Sequence, residues 1–380
     1  MFLNQAGEAV KMTSMTKQRI LIMAGGTGGH VFPALAVAER LLSQGWDIHW
    51  LGTRAGLEAS IVPKANIAIH YVSVKGLRKN GILGWCLAPL RLLWALFQSL
   101  CVIHQLKPDV VLGMGGFISG PGGLAAWLLR CPLVVHEQNA IVGLTNRALS
   151  HLANRVLEAF PGAFNAKVNA IYTGNPIREV LLAAPAPTLR FTERRLKEPT
   201  EPLRLLVLGG SQGAVALNEV CPLAIQKMPI EKRPVVWHQT GVKNEAVTKT
   251  KVAYDSAGIS ARVEPFIEDM AAAYGWADLV LCRSGALTVT ELATVGVGSI
   301  LVPYPFAVDN HQTANGRFLE KADAAKIIDQ SCLSAENLAG LLLELFSDND
   351  RLFKMAEAAF SVAKRDALTE VVRYCENTHL

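Results

Sequence analysis

Residues 19–53 have the sequence RILIMAGGTGGHVFPALAVAERLLSQGWDIHWLGT. The apolar run at 20–24 predicts a strand, and the apolar residues that recur at helical spacing after Val31 predict a helix. Pro33 falls in the first turn of that helix and Gly45 just past its end, where each of these residue types is favoured. Asp47–Leu51 predicts a second strand, so this part of the chain is a strand–helix–strand unit.

Four glycines lie between the first strand and the helix, Gly25, Gly26, Gly28 and Gly29. Glycine lets the backbone approach a ligand closely, and the exposed N–H groups at a helix start favour an anion. The loop does not match the dinucleotide fingerprint, because Val31 stands where the third glycine belongs, and the chain has no P-loop motif. These features predict a phosphorylated ligand that neither a dinucleotide fingerprint nor a P-loop holds, and they disfavour an NAD-dependent oxidoreductase.

The composition describes a folded, apolar chain without a nucleic-acid signature. The 380 residues are enough for two domains with full cores, and 51% are hydrophobic, which excludes disorder. The net charge of +5 is small and no dense Lys/Arg cluster occurs, so no nucleic acid is expected. Seven dispersed cysteines without a C-x-x-C pair indicate reduced thiols in a cytosolic protein. Residues 1–17 contain no signal-peptide core and are expected to form a disordered lead-in, with Met15 as an alternative start.

Strand–loop–helix units recur along the chain. Glycine-rich loops also follow the predicted strands at 108–113 and 203–208. Strands that alternate with helices predict parallel, doubly wound sheets, which bind ligands at the carboxyl ends of their strands. We therefore expect an α/β protein with two Rossmann-like domains facing across a cleft, residues 18–176 and 203–363, joined by a linker at 177–202.

One hydrophobic stretch, Gly81–Ile103, is long enough to raise the question of a membrane span. Pro89 and Arg91 interrupt it, and it lies inside an α/β domain, which argues against spanning. An ordinary buried helix and a helix with a membrane-docking edge both stay open, because cations lie just upstream of the apolar residues. The expected membrane patch comprises Leu77, Arg78, Lys79, Ile82 and Trp85.

The segment Ser284–Glu291 is a second candidate phosphate site. Ser284 and Gly285 are expected to cap a helix whose free N–H groups suit a diphosphate, and Glu291 lies about two turns further on, where a carboxylate could accept both hydroxyls of a ribose. A capped helix with an outward-facing glutamate is the plain alternative. The glycine loop Gly209–Gly213 in the same half favours the ligand interpretation.

Two histidines are candidate bases. His30 directly follows the first glycine loop, and the positive end of a helix disfavours a protonated imidazole. His136 begins the polar run His136–Asn139, which ends a strand on the same edge of the predicted cleft. The pattern Asp348–Asp350 is expected to be a solvated turn, and no metal site or cofactor is predicted.

Six segments together resemble the peptidoglycan N-acetylglucosaminyltransferase family over about residues 19–370. They are GGTGGHVFP (25–33), VLGMGGFISGPGG (111–123), HEQN (136–139), TGNPIR (173–178), GGSQGA (209–214) and CRSGALTVTE (282–291). The resemblance implies a GT-B fold with an acceptor site in the first domain, a nucleotide-sugar site in the second, and a final helix, 364–380, that crosses back. It also implies a location on the cytoplasmic face of the bacterial inner membrane, as a peripheral protein with possible partners in cell-wall synthesis.

The resemblance implies inverting transfer from UDP-N-acetylglucosamine to the 4-hydroxyl of MurNAc in lipid I, giving lipid II. His30 would be the general base, with His136 as the second candidate. The implied UDP-N-acetylglucosamine contacts are Thr27, Gly28, Gly29, Asn139, Arg178, Ser211, Ile267, Ala286, Leu287, Thr288, Val289, Thr290, Glu291 and Gln312. The implied acceptor-diphosphate contacts are Gly25, Gly26, Gly113, Gly115 and Gly116.

Three alternatives stay open at this point. Another glycolipid-forming GT-B glycosyltransferase or a UDP-N-acetylglucosamine 2-epimerase would keep the fold and change the chemistry. An epimerase would need further acid/base carboxylates in the cleft and no membrane patch. A nonenzymatic nucleotide-sugar or lipid-carrier binding module would bind the same ligands without transfer.

Overall fold

The structure, a computed structural model, describes residues 17–74, 88–197, 201–210, 213–307 and 310–378, except for the side chains of 195–197 and 349. Three of the predicted features therefore lie outside the described residues. They are the lead-in up to residue 16, the membrane patch Leu77, Arg78, Lys79, Ile82 and Trp85, and the loop residue Ser211.

The first half of the chain forms a seven-stranded sheet in the order β3-β2-β1-β4-β5-β6-β7, and every pair is parallel. Its strands are β1 Arg19–Met23, β2 Asp47–Gly52, β3 Ala68–Tyr71, β4 Val110–Gly113, β5 Leu133–Glu137, β6 Arg155–Glu158 and β7 Ile171–Tyr172. Helices on both faces bury the sheet, so the central strands are continuous apolar runs rather than alternating ones. This half is the doubly wound sheet that the sequence predicts.

The second half repeats the plan with a six-stranded parallel sheet in the order β10-β9-β8-β11-β12-β13. Its strands are β8 Arg204–Leu208, β9 Val235–Gln239, β10 Ala261–Glu264, β11 Leu279–Cys282, β12 Gly298–Leu301 and β13 Ala325–Ile327. In each sheet the strand order reverses beside the first strand, and open parallel sheets bind ligands at such a switch point.

Fifteen α-helices lie in the described part of the chain. They are α1 Gly28–Ser43, α2 Glu58–Ile61, α3 Ala88–Leu106, α4 Ser119–Leu128, α5 Leu144–Leu149, α6 Glu179–Leu182, α7 Pro187–Lys197, α8 Val215–Gln226, α9 Asn244–Ser256, α10 Met270–Trp276, α11 Ala286–Val295, α12 His311–Glu320, α13 Ala335–Phe346, α14 Asn349–Ser361 and α15 Ala367–Glu376. Short 3₁₀ turns occur at Pro63–Ala65, Ala166–Val168, Ile230–Lys232 and Gln330–Cys332.

The segment 177–202 is more ordered than its linker-like composition suggests. It contains α6 and α7, and the proline at the start of α7, Pro187, occupies a position where a missing N–H costs nothing. Arg190 of α7 donates to the backbone oxygen of Gly296, and Phe191 packs against Phe353 of α14. Pro187 at the start of α7, together with packing against the second half, explains why this segment is helical although its composition is that of a linker.

The last helix, α15, belongs to the interior of the first half. Leu368, Val371, Val372 and Cys375 are buried in the same core as β1, α1 and β4. The first strand and the last helix of the described chain therefore share one core.

Helix α3 covers the described end of the apolar stretch 81–103. Ala95, Ser99 and Ile103 face the core, whereas the opposite edge exposes Leu90, Leu92, Leu93, Trp94 and Phe97. Among the described residues, no helix is both long and apolar enough to cross a membrane. The helix thus has one buried face and one apolar, solvent-exposed edge.

Candidate functional site

The candidate site lies where loops at the carboxyl ends of the strands of both sheets meet. Two loops of the first half, the one after β5 and the one after β7, are each hydrogen-bonded to the second half. The N–H of Ala140 donates to Asn315 Oδ1 on α12 at 2.8 Å, and Asn175 Nδ2 donates to Thr290 Oγ1 on α11 at 3.1 Å. These bonds hold the first-half loops against the helix that carries the predicted diphosphate site.

His30 lies in the first turn of α1 and is half-buried. Its Nδ1 is 2.8 Å from Gln138 Oε1, while its Nε2 makes no hydrogen bond within the described part of the chain. Gly115, at φ +91°, packs beside the ring: a Cβ at this position would lie 3.0 Å from His30 Nδ1 and Cε1. The imidazole is therefore held on two sides and keeps one nitrogen for a ligand.

His136 lies at the end of β5 and is fully buried. Its Nε2 is 2.9 Å from the backbone oxygen of Gly174, and its Nδ1 is 3.0 Å from Gln138 Nε2. Burial lowers the pKa of this imidazole to about 4, a shift that the bond to Gly174 partly offsets. With both ring nitrogens bonded inside the protein, His136 holds Gln138 in place and does not reach a ligand. This placement leaves His30 as the candidate base.

The two glycine loops of the first half pack directly on each other. Gly116, at φ +81°, lies so close to Gly25 that a Cβ at residue 116 would be 2.5 Å from the Gly25 oxygen. The N–H of Gly26 donates to Glu58 Oε2 at 3.0 Å, so this amide is not free for the acceptor's diphosphate. Glu58 is buried and also accepts from the N–H and hydroxyl of Thr53. Nothing in its sequence context marked this glutamate as an anchor of the loop.

Helix α11 presents an uncapped N-terminus to the site. Its N-cap is Gly285 rather than Ser284, and no side chain of the described residues bonds its first-turn amides. The Ser284 hydroxyl is buried without a hydrogen-bond partner in the described part of the chain. Uncapped first-turn N–H groups at a helix start stabilise an anion. Val289 is an exception among the implied contacts, because its side chain is buried and its N–H donates to the Gly285 oxygen.

Glu291 lies on α11 beside Tyr274, whose hydroxyl donates to Glu291 Oε2 at 2.9 Å. Burial raises the pKa of this carboxyl, and the Tyr274 bond and the positive charge of Arg178 partly offset that shift. Arg178 is exposed, and its guanidinium lies close enough to Glu291 for its charge to act on the carboxylate. Only one carboxylate oxygen is bonded within the described part of the chain, and the other can accept from a ligand hydroxyl.

Several implied contacts are placed so that only part of each residue is available. Ile267 is 2% exposed and packs in the second-half core, so its backbone but not its side chain can meet a base. Gln312 Oε1 accepts from the Tyr304 N–H at 2.8 Å, which leaves its Nε2 for a sugar hydroxyl. The side chain of Asn139 is bonded to Glu137 and to Asn315.

The polar residues that connect the two halves are the ones that sequence reasoning missed. Asn315 is fully buried on α12 and bonds Asn139, Ala140 and the Ser284 oxygen. Asn175 donates to the Gln138 oxygen as well as to Thr290. Asn175 lies inside the quoted TGNPIR segment, whereas Asn315 has no neighbouring pattern that would have singled it out.

Among the described residues, no group of three or more His, Cys, Asp or Glu side chains has the arrangement of a metal site. The pattern Asp348–Asp350 is the start of α14, where the Asp348 side chain accepts from the Asp350 N–H. This carboxylate serves as a helix cap.

Comparison with known proteins places both halves in the same family. Residues 20–158 match the glycosyltransferase family 28 N-terminal domain, and residues 204–371 match the family 28 C-terminal domain. A relative from Alkalilimnicola ehrlichii is 53% identical over 94% of this chain and 98% of its own length, and one from Marinobacter nauticus is 50% identical over 96% and 98%. Both are UDP-N-acetylglucosamine–N-acetylmuramyl-(pentapeptide) pyrophosphoryl-undecaprenol N-acetylglucosamine transferases.

A solved structure gives the same answer for the fold. The crystal structure of Acinetobacter baumannii MurG aligns with a TM-score of 0.82 at 42% identity, covering 94% of this chain and 99% of that one.

Proposed function

The chain belongs to glycosyltransferase family 28, and from this membership and the site geometry we propose the reaction that it catalyses. It transfers N-acetylglucosamine from UDP-N-acetylglucosamine to N-acetylmuramyl-(pentapeptide) pyrophosphoryl-undecaprenol, lipid I, and forms lipid II for peptidoglycan synthesis. Residues 18–176 handle the acceptor and residues 203–363 the nucleotide sugar.

One observation carries the proposal beyond family membership. The half-buried His30 lies on the first-half edge, and the loop that holds it is bonded through Asn175 to α11, whose uncapped N-terminus and Glu291 form the donor side. A base and a diphosphate site joined by a short chain of bonds suit direct transfer between two bound substrates. This arrangement supports a transferase over a binding module, which needs no positioned base.

The proposed transfer is a single displacement with inversion. His30 Nε2 takes the proton of the MurNAc 4-hydroxyl. At the same time the oxygen of that hydroxyl bonds to the anomeric carbon of N-acetylglucosamine, and the bond from that carbon to UDP breaks. UDP leaves with the electron pair, and the first-turn amides of α11 stabilise the charge on its diphosphate. Glu291 holds the ribose, and orientation of the two substrates supplies a large share of the rate.

The direct test is a transfer assay. Purified protein is incubated with radiolabelled UDP-N-acetylglucosamine and a short-chain lipid I analogue, with EDTA present, and labelled lipid product is measured. Labelled product is the expected result. Binding of UDP without any labelled lipid would reject the lipid I assignment while leaving the fold unaffected, and release of a labelled 2-epimer would favour the epimerase.

Replacing Glu291 by alanine should weaken UDP binding by about 10–100-fold, because hydrogen bonds to a charged group contribute about 1.5–3 kcal/mol. Since burial raises its carboxyl pKa, wild-type affinity should also fall as the pH is lowered toward that raised pKa, and the variant should lose this dependence. Isothermal titration with UDP measures both effects. Glu336→Ala, at an exposed ion pair with Lys227, is the control. Unchanged UDP affinity in Glu291→Ala would remove the residue from the donor site.

The exposed edge of α3 is the proposed membrane contact. Leu90, Leu93, Trp94 and Phe97 are each more than half exposed, and Trp94 stacks on Phe97 with ring centroids 5.5 Å apart. Aromatic and aliphatic side chains of this kind insert at the headgroup boundary. Because the acceptor carries an undecaprenyl chain, a peripheral contact here brings the acceptor loops to the membrane surface.

Leu93→Glu should reduce binding to anionic lipid vesicles, since it places a negative charge on the apolar edge. Cosedimentation with vesicles measures the bound fraction. Leu223→Glu changes a leucine on α8 of the second half that is 51% exposed, against 62% for Leu93, and should leave binding unchanged. Equal losses in both variants would contradict a contact specific to α3.

A further inference from the structure

A chain of hydrogen bonds with a fixed direction lies behind His30. Gln138, 1% exposed at the end of β5, connects it to His136. Its Nε2 is 3.0 Å from the backbone oxygen of His136, and a carbonyl oxygen only accepts, so this end of the amide is the nitrogen. The other end, Oε1, is therefore the atom that lies 2.8 Å from His30 Nδ1.

His136 imposes the same direction independently. Its Nε2 faces the Gly174 oxygen at 2.9 Å, so Nε2 carries the proton. The buried ring is neutral, and its Nδ1 is consequently an acceptor that takes the second N–H of Gln138 at 3.0 Å. Both hydrogens of the amide are then used, and flipping the amide would break both bonds. A flip would also place the amide nitrogen toward His30.

We propose that Gln138 is a positioning residue that sets the tautomer of His30. Its carbonyl accepts from His30 Nδ1–H, which places the lone pair of the ring on Nε2, the nitrogen without a partner in the described part of the chain. The geometry of this assignment is independent of the reaction. Its consequence for catalysis rests on the proposed function, in which His30 Nε2 takes the acceptor's proton.

Gly115 completes the constraint. A Cβ there would lie 3.0 Å from His30 Nδ1 and Cε1, so the ring sits between the backbone of the second glycine loop and the amide of Gln138. A base that is pinned on one nitrogen presents the other in a single direction. A base in the wrong tautomer presents a proton where a lone pair is needed, which is costly in histidine-dependent catalysis.

The test replaces Gln138 by methionine, which keeps the length of the side chain and removes the acceptor. We expect kcat of the transfer reaction to fall by about 10–100-fold with the KM for UDP-N-acetylglucosamine unchanged, because the base is misdirected while the donor site is intact. In a His30→Ala background, Gln138→Met should not lower kcat any further. Gln98→Met is the control. Gln98 lies on α3, and in the wild type its side-chain oxygen accepts a hydrogen bond from the Ser73 N–H.

Nitrogen-15 NMR of histidine-labelled protein in alkaline buffer reads the tautomer directly. Wild type should show His30 protonated on Nδ1, and Gln138→Met should show a mixture, while His49, bonded to His70, stays unchanged. His30 protonated on Nε2 in wild type, or an unchanged tautomer and kcat in Gln138→Met, would overturn the proposal. Full kcat in His30→Ala would instead reject the base of the proposed function.

Discussion

Replacing His30 by alanine is expected to lower kcat by about 10²–10⁴-fold, the usual contribution of a positioned general base. The imidazole is the ionisable side chain that the structure holds between Gln138 and Gly115 with one nitrogen unbonded within the described residues. UDP binding should stay at the wild-type level, because the first-turn amides of α11 and Glu291 supply the donor contacts. Steady-state kinetics with the lipid I analogue, together with titration of UDP, separates the two effects.

A matched histidine provides the control. His104 is exposed near the end of α3, just before β4, and so lies at the opposite edge of the first sheet from the site. His104→Ala should keep wild-type kcat. If His30→Ala retains kcat, or loses UDP affinity as strongly as turnover, His30 is not the base.

Acid should destabilise the protein well above the range in which carboxylates titrate. His136 and His238 are fully buried, and burial lowers their pKa values to about 4 and about 3 from an ordinary 6.5. Below pH 6.5 both histidines bind a proton in the unfolded chain, whereas in the folded protein they stay neutral until the pH falls to their lowered pKa values. Stability is therefore fully present above pH 6.5 and is lost as the pH falls toward 4, at about 1.4 kcal/mol per pH unit for each histidine.

Across that window the loss amounts to about 3 kcal/mol for each histidine, a large share of a typical stability of about 5–15 kcal/mol. Urea unfolding at a series of pH values measures it. His238→Gln, which removes one of the two fully buried imidazoles, should reduce the slope by about 1.4 kcal/mol per pH unit, and the same change at the exposed His151 controls for loss of an imidazole as such. Burial raises the carboxyl pKa of Glu291, which acts in the opposite sense, so the slope is best measured in the upper part of the window. A flat stability profile down to pH 5 would contradict buried, neutral histidines.

The fold could be predicted from local patterns because each strand–loop–helix unit has its whole sequence pattern within about thirty residues. The apolar run at 20–24, the glycine loop and the helix from Gly28 occur in that order, and the structure places β1, the loop and α1 there. The helix expected after Ser284 and Gly285 is α11, which begins directly after Gly285. Helix α7, inside the expected linker 177–202, was not predicted, because it is held by packing on the second half, which composition does not encode.

The site was only partly predictable, for a similar reason. His30 could be singled out because it follows a glycine loop that comes directly after an apolar strand. Glu58, Gln138 and Asn315 act through partners that are distant along the chain, at separations of 32, 108 and 175 residues. The order of the strands in the sheets brings these partners together, and the spacing of residues along the sequence does not indicate which ones will meet.

The return of α15 to the first half has a consequence for biosynthesis. Leu368, Val371, Val372 and Cys375 fill a core whose other members lie between residues 20 and 157. A ribosome makes those members before α15, so the first half cannot complete its core until residue 376 has been made, while the second half can complete its own core earlier. A truncation that removes residues 371–376 would therefore damage the first half rather than the half that precedes the helix in the chain.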